Sequence, residues 1–278
     1  MTLLAYIFVS GYKIWLLATN KNIYWFAISN AFDYILIAIG LIVIYKFKKG
    51  QKFAFSINVA KRILSQSYHY ILSGMMSVVF VQSDRIMLKF MRGNEELGLY
   101  SAACSISTLT TFVFTAIIDS MRPEILKYKG IDEIKYKKNV SRLFGLILYL
   151  SVIQSIVVSI SAELILGIMY GSSYMGATSV LQILIWYTSF SYYGGVRNVW
   201  VLAEEKQNIL WIVNLVGRLA NIGLNLKLIP IWGINGAAFA TLFTQFFTNV
   251  VLNYIVTPFK EVNKLAIKGL NIVKMIKD

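Results

Sequence analysis

Long apolar runs limit what this chain can fold into. They occupy 2–19, 23–45, 63–82, 98–120, 143–162, 177–203, 207–229 and 233–257. Backbone that enters hydrocarbon has no water to satisfy its N–H and C=O groups, so only helices and closed barrels can span. A helix crosses a core of about 30 Å with about 20 residues. The runs approach or meet that length and lack the alternation of barrel strands. They predict an all-α integral membrane protein of about eight transmembrane helices. Composition agrees: 57% of residues are apolar and 14% charged, against about 45–50% and about 25% in soluble domains. The connections leave no room for a large soluble domain.

The net charge of +14 would suit nucleic acid if the cations were clustered on a soluble face, but they sit between the runs. Segments 46–62 and 121–142, Lys206 and the tail from Lys260 together hold 19 Lys and Arg. The alternate connections hold five: Lys21, Arg85, Lys89, Arg92 and Lys227. The positive-inside bias places the rich side, and with it the C-terminus, in the cytoplasm. Residues Met1–Ser10 lack a basic n-region and a small-residue cleavage site, so they do not read as a signal peptide. The first run is short and contains Lys13, as if the chain began inside a helix, either through a truncated reading frame or as a short natural variant.

Polar residues at helical spacing inside a span mark a face turned to protein or water. In 207–229, Asn214, Arg218, Asn221 and Asn225 fall at i, i+4, i+7 and i+11. Ser101, Ser105, Thr108, Thr115 and Asp119 form a stripe in 98–120. Thr241, Thr244, Gln245, Thr248 and Asn249 form another in 233–257. Interhelical packing accounts for most Ser, Thr and Asn at such positions. Arg218 is different, because a cation near mid-membrane needs a partner or a wet cavity. Arg197 lies two turns from a cytoplasmic helix end, within snorkelling reach. Lys13 and Asp33 lie in consecutive antiparallel helices with a geometry open to pairing. His69 is a packing residue or a proton carrier. Pro123, Pro230 and Pro258 fall at helix ends, with no mid-helix kink expected. The single cysteine, Cys104, reads as packing, and one Cys with one His excludes a disulfide framework and argues against a metal cluster. There is no nucleophile elbow, Walker loop or metal spacing, so neither an enzyme nor a cofactor is expected.

Four stretches then resemble a known family. They are Ser83-Asp84-Arg85-Ile86-Met87-Leu88 with Leu97-Gly98-Leu99-Tyr100-Ser101-Ala102-Ala103; Met169-Tyr170-Gly171-Ser172-Ser173-Tyr174 with Val180-Leu181-Gln182-Ile183-Leu184; Leu202-Ala203-Glu204; and Asn221 and Asn225 with Ile229-Pro230 and Gly233-Ile234-Asn235-Gly236-Ala237-Ala238. In this order they resemble the polysaccharide-repeat flippases, the Wzx-type O-antigen and capsule transporters of the MATE-like exporter superfamily, over residues 3–258. His69 departs from relatives that often have proline there.

The resemblance implies twelve or more helices in two six-helix lobes. On that register residues 1–45 are the fifth and sixth helices of an incomplete first lobe. Residues 46–62 form a basic cytoplasmic linker, 63–257 the second lobe and 258–278 a basic cytoplasmic tail, and the first four helices are absent. It further implies a flippase that moves an undecaprenyl-diphosphate-linked glycan across the bacterial cytoplasmic (inner) membrane by alternating access. O-antigen, capsule and other lipopolysaccharide or exopolysaccharide pathways would use it beside a polymerase and a chain-length regulator. Candidate substrate-path residues are Arg218, Arg197, Lys13, Asn214, Asn221, Asn225 and His69. Ion-pair or coupling candidates are Asp33, Asp84 and Asp119. The alternatives are a cation-coupled multidrug antiporter of the same superfamily, a polytopic polysaccharide-synthesis enzyme, and an inert truncated product.

The charge asymmetry generates a direct test. A C-terminal fusion to a reporter that is active only outside the cytoplasm is expected to be silent, and strong activity there would reverse the orientation.

Overall fold

The computed structural model describes residues 2–19, 21–48, 56–65 and 82–271. Among them there are helices and turns and no strand. Seven of the eight apolar runs fall in these residues and all seven are helical. The eighth, 63–82, lies outside them apart from its ends, and so does His69. Contacts gather into two units, Met1–His69 and Tyr70–Asp278.

In the first unit α1 (Thr2–Ala18) and α2 (Ile23–Phe47) form an antiparallel hairpin. Tyr12 packs edge-on against Phe32 at 5.6 Å, and a short α3 occupies 57–65. Lys13 does not pair with Asp33. Its ammonium donates to Asn30 Oδ1 at 3.0 Å, because Asn30 lies one turn nearer the hairpin tip and reaches the same level of α1.

The second unit contains α4 (Ser83–Arg92), α5 (Asn94–Thr108), α6 (Thr111–Tyr128), α7 (Glu133–Tyr170), α8 (Thr178–Ala203), α9 (Gln207–Phe246), α10 (Leu252–Ile255) and α11 (Lys260–Gly269). Together α5 and α6 form one bent span, Asn94–Tyr128, with the bend at Leu109 and Thr110. The connection 83–97 is helical on both sides of Gly93. Helix α7 has 38 residues, or roughly 57 Å at 1.5 Å per residue. It outreaches the bilayer, and the basic stretch from Glu133 to Arg142 projects. On its apolar length Ile160 is 81% and Ile168 76% exposed, a surface that only lipid or another membrane segment can cover.

The span Ile209–Ile255 covers 47 residues, roughly 70 Å if straight, more than two membrane thicknesses. It folds back at Gly233, where φ 55 and ψ −133 belong to a region open in practice to glycine alone. Pro230 lies inside the first arm, three residues before the break. Arg92 secures the turn: its Nε donates to the Ile229 carbonyl at 3.1 Å and its Nη2 to the Pro230 carbonyl at 2.9 Å, taking up acceptors that a helix end leaves free. The second arm runs into a π-helical turn at Phe247–Val251.

Two apolar clusters close the ends of this unit. One, near the α6–α7 and α8–α9 turns, gathers Phe144, Tyr193, Trp200, Phe259 and Val262. The other, near the breaks at Gly93, Gly171 and Gly233, gathers Leu88, Tyr100, Leu166, Leu181 and Ala237. Helices α7 and α8 are clasped between them by Ser155 and Ser189, whose hydroxyls bond at 3.0 Å. One sequence expectation changes here. Pro123 sits inside α6, not at its end, since the helix runs on to Tyr128 beyond the apolar run. Residues of the basic tail form α11, with Val262, Leu265 and Ala266 buried.

The break at Gly233 predicts an asymmetric response. Gly233→Ala is expected to cost on the order of 1–3 kcal/mol and to lower the melting temperature in detergent by several degrees. Gly223→Ala, in a helical position with nothing within 4 Å of the new methyl, is expected to be neutral or slightly stabilising. Equal melting of both variants and the wild type would remove the special role of Gly233.

Candidate functional site: a polar cavity within the second unit

Between the two apolar clusters lies a cavity of about 400 Å³. Helices α4, α5, α8 and both arms of α9 line it. The α9 stripe is aimed at it: Asn214, Arg218 and Asn221 all line the wall. Opposite them on the second arm stand Thr241, Thr244, Gln245, Thr248 and Asn249. Packing accounts for the meeting of the two arms: a Cβ on Gly217 would run into the Thr248 side chain, so the glycine lets the arms approach.

Asp84 is the carboxylate in this wall. Its Oδ1 accepts from Asn225 Nδ2 at 2.6 Å. Its Oδ2 accepts from Thr241 Oγ1 at 2.6 Å and from the Tyr100 hydroxyl at 3.1 Å. Asn225, fully buried, also donates to Asn221 Oδ1 at 3.1 Å. The carboxylate thus ties α4 to α5 and to both arms of α9. Asn225 and Thr241 each lie eight residues from Gly233, roughly 12 Å of rise below that turn, so Asp84 sits at membrane depth. Arg85 also lines the cavity and donates to Gln82 Oε1 at 3.2 Å.

Arg197 does not snorkel. It is 2% exposed and donates from Nη1 to the Thr248 carbonyl at 3.0 Å and from Nη2 to Asn214 Oδ1 at 3.5 Å. It stands behind the cavity wall and holds two wall residues, one of them in the π-turn, a kind of helix distortion common at functional sites. Its Nε has no partner among the described residues. Asp119 pairs with Arg122 one turn away at 2.7 Å on an exposed face of α6. Asp33 remains in the first unit, its buried Oδ1 without a partner among the described residues. The structure therefore brings together Arg218, Asn214, Asn221, Asn225 and Asp84, with Arg197 behind them. Tyr100, Thr241 and Arg85 join them; their stripes and motif were visible in the sequence, but not their convergence.

At the end that carries the basic segments, Glu204 joins the α6–α7 and α8–α9 connections. Its Oε1 accepts from Lys129 at 2.7 Å and from the Tyr136 hydroxyl at 3.0 Å, and Lys206 approaches Oε2 at 4.0 Å. Burial, together with the Glu204 carboxylate, pushes the Tyr136 phenol up. The Lys129 ammonium holds the Glu133 carboxyl below its ordinary range.

Fold and cavity define an all-α, multi-pass membrane protein with a polar chamber inside a helical lobe. Residues 2–129 match the model of the polysaccharide biosynthesis protein family, which bears out the resemblance read from the motifs. An uncharacterized membrane protein of Methanocaldococcus jannaschii is 26% identical over 242 residues, 81% of this chain and 47% of the relative. The capsular polysaccharide biosynthesis protein CapF of Staphylococcus aureus is 22% identical over 163 residues, 58% of this chain and 41% of the relative. The chain spans less than half the length of both. No solved structure matches.

The Asp84 network generates a stability prediction. Asp84→Leu strands three donors, each costing on the order of 1–3 kcal/mol when left unsatisfied, so melting in detergent should fall sharply. Adding Thr241→Val and Asn225→Leu to that variant should recover part of the loss, because apolar replacement of both partners is far cheaper. An Asp84→Leu protein that melts with the wild type would show that the network contributes nothing.

Proposed function

We propose that this chain provides the second lobe, and two helices of the first, of a transporter that moves a lipid-diphosphate-linked oligosaccharide between the leaflets of the cytoplasmic membrane. The observation that supports this reading most directly is a cavity at membrane depth whose wall holds Arg85 and Arg218 among amides and hydroxyls. Arg218 is eleven residues from the start of its helix, roughly 16 Å, too deep to reach the interface with ease. A guanidinium binds phosphate oxygens through a bidentate fork that lysine cannot reproduce. Asn214 and Asn221 beside it offer donors and acceptors to sugar or bridging oxygens. Arg197 acts as a positioning residue through Asn214 and the Thr248 carbonyl.

Asp84 is the coupling candidate in this scheme. Its oxygens, the buried Oδ1 of Asn225, without a partner among the described residues, and the Thr241 hydroxyl form an oxygen-rich set suited to a proton or a monovalent cation. Occupancy there would compete with the hydrogen bonds that join α4 to the two arms of α9 and so shift the packing of the lobe. Alternating access needs a two-state element of this kind. A cytoplasmic C-terminus and export toward the outer leaflet complete the reading.

Arg218→Lys and Arg218→Gln, introduced into the gene in its own cells, test it. Both are expected to lower surface polysaccharide at least tenfold, while protein level and melting temperature stay near wild type. Normal export by both variants would overturn the assignment of Arg218 to the transport path.

A further inference from the structure

A second pocket, of about 320 Å³, adjoins the charged cavity between the bent α5–α6 span and α8. Thr108 and Tyr187 line both, so the two share a wall. Their chemistry differs. Seven of the nine residues lining the second pocket carry a hydroxyl and none carries a charge. Thr111 and Ser191 are half-buried in it, while Thr188 and Tyr192 are buried and Thr108 and Thr115 are exposed.

The hydrogen bonds show what this wall can still offer. Thr108 donates to the Cys104 carbonyl at 2.8 Å, Thr115 to the Thr111 carbonyl at 2.9 Å and Thr188 to the Ile185 carbonyl at 2.6 Å. Their protons are committed to their own helices, and their remaining lone pairs are left as acceptors. The Tyr192 ring is stacked on Phe114 at 4.0 Å and 9°, and its hydroxyl bonds Thr111 Oγ1 at 3.3 Å, so the aromatic face is fixed. Back-bonded Ser and Thr are common in packed membrane helices, but close packing fills the space between them. Here the space stays open, beside the bend of Leu109 and Thr110. Thr111 lies roughly 27 Å along its bent span from the Gly93 turn, and Arg218 roughly 22 Å from the Gly233 turn. The hydroxyl pocket and the guanidinium therefore lie within about one helical turn of the same depth.

We infer that this hydroxyl-lined pocket is a subsite for the uncharged glycan of the transported lipid, with the diphosphate in the adjoining charged cavity. The inference rests on the transport reading above. Sugar hydroxyls supply the donors that the threonine lone pairs accept, and the apolar face of a sugar ring suits a fixed tyrosine. An anion would find no counter-charge here, and a purely apolar ligand would strand the hydroxyl acceptors.

The test measures binding to the purified protein of two probes: undecaprenyl diphosphate without sugar, and the lipid-linked oligosaccharide extracted from the membranes of the cells that make the protein. Wild type is expected to bind the glycan-bearing lipid more tightly. The nearly isosteric Thr111→Val, Thr115→Val and Ser191→Ala triple variant is expected to lose about tenfold toward that lipid and to bind the sugar-free lipid as wild type does. Arg218→Gln is expected to weaken both. A melting temperature within a few degrees of wild type shows that the triple variant is folded; if it is not, Thr115→Val alone must show the same selective loss. Unchanged binding of the glycan lipid, or equal loss of both lipids, overturns the subsite while leaving the transport reading intact. Failure of wild type to bind either lipid removes the transport reading, and the subsite with it.

Discussion

A carboxylate at membrane depth has to be satisfied by protein, and Asp84 is satisfied from three directions. Its hydrogen bonds reach Tyr100 on α5, Asn225 on the first arm of α9 and Thr241 on the second. Those partners are 16, 141 and 157 residues away along the chain. Moving any of the four segments alone would leave a polar group stranded in hydrocarbon, where the penalty is several kcal/mol. The α4–α5 hairpin and the α9 hairpin therefore depend on one another, and the cavity between them keeps its shape.

The breaks in the helices serve the same chamber. Gly233 turns α9 back on itself, so one continuous sequence supplies two facing polar stripes. The bend at Leu109 and Thr110 opens the hydroxyl pocket, and the π-turn at Phe247–Val251 carries the Thr248 carbonyl that Arg197 grips. Regular helix prevails elsewhere, where α7 and α8 run unbroken and small residues allow close approach. Irregular backbone is confined to places that protein or a polar cavity can satisfy.

The family match over 2–129 takes in Asp84, Arg85 and Tyr100, and the alignment with the archaeal membrane protein extends over 242 residues. The α8 and α9 walls of the cavity lie beyond the family match, so the case for their roles is made by geometry. Arg218, Asn214 and Asn221 face a chamber whose other wall the family model does cover.

From the sequence alone come the places where long helices run among the described residues, the connections in which Lys and Arg accumulate, and the polar face of α9. Each follows from a local property: the length of an apolar run, the count of Lys and Arg between runs, and the 3.6-residue period that stacks Asn214, Arg218, Asn221 and Asn225. Which faces meet follows from the packing of the helices against one another. Asp84 stood in a short motif next to the apparent outer loop, and nothing within ten residues of it shows that Asn225 and Thr241 supply its donors. Arg197 looked free to snorkel because its distance from the helix end is a one-dimensional measure, whereas its direction is set by packing against α9. Tail residues became α11 because Asn263 and its apolar neighbours find partners on α7, α8 and the α10 region. Periodicity assigns a side chain to a face of its own helix, but burial and hydrogen-bond partners come from other helices, and the packing of all of them together fixes those.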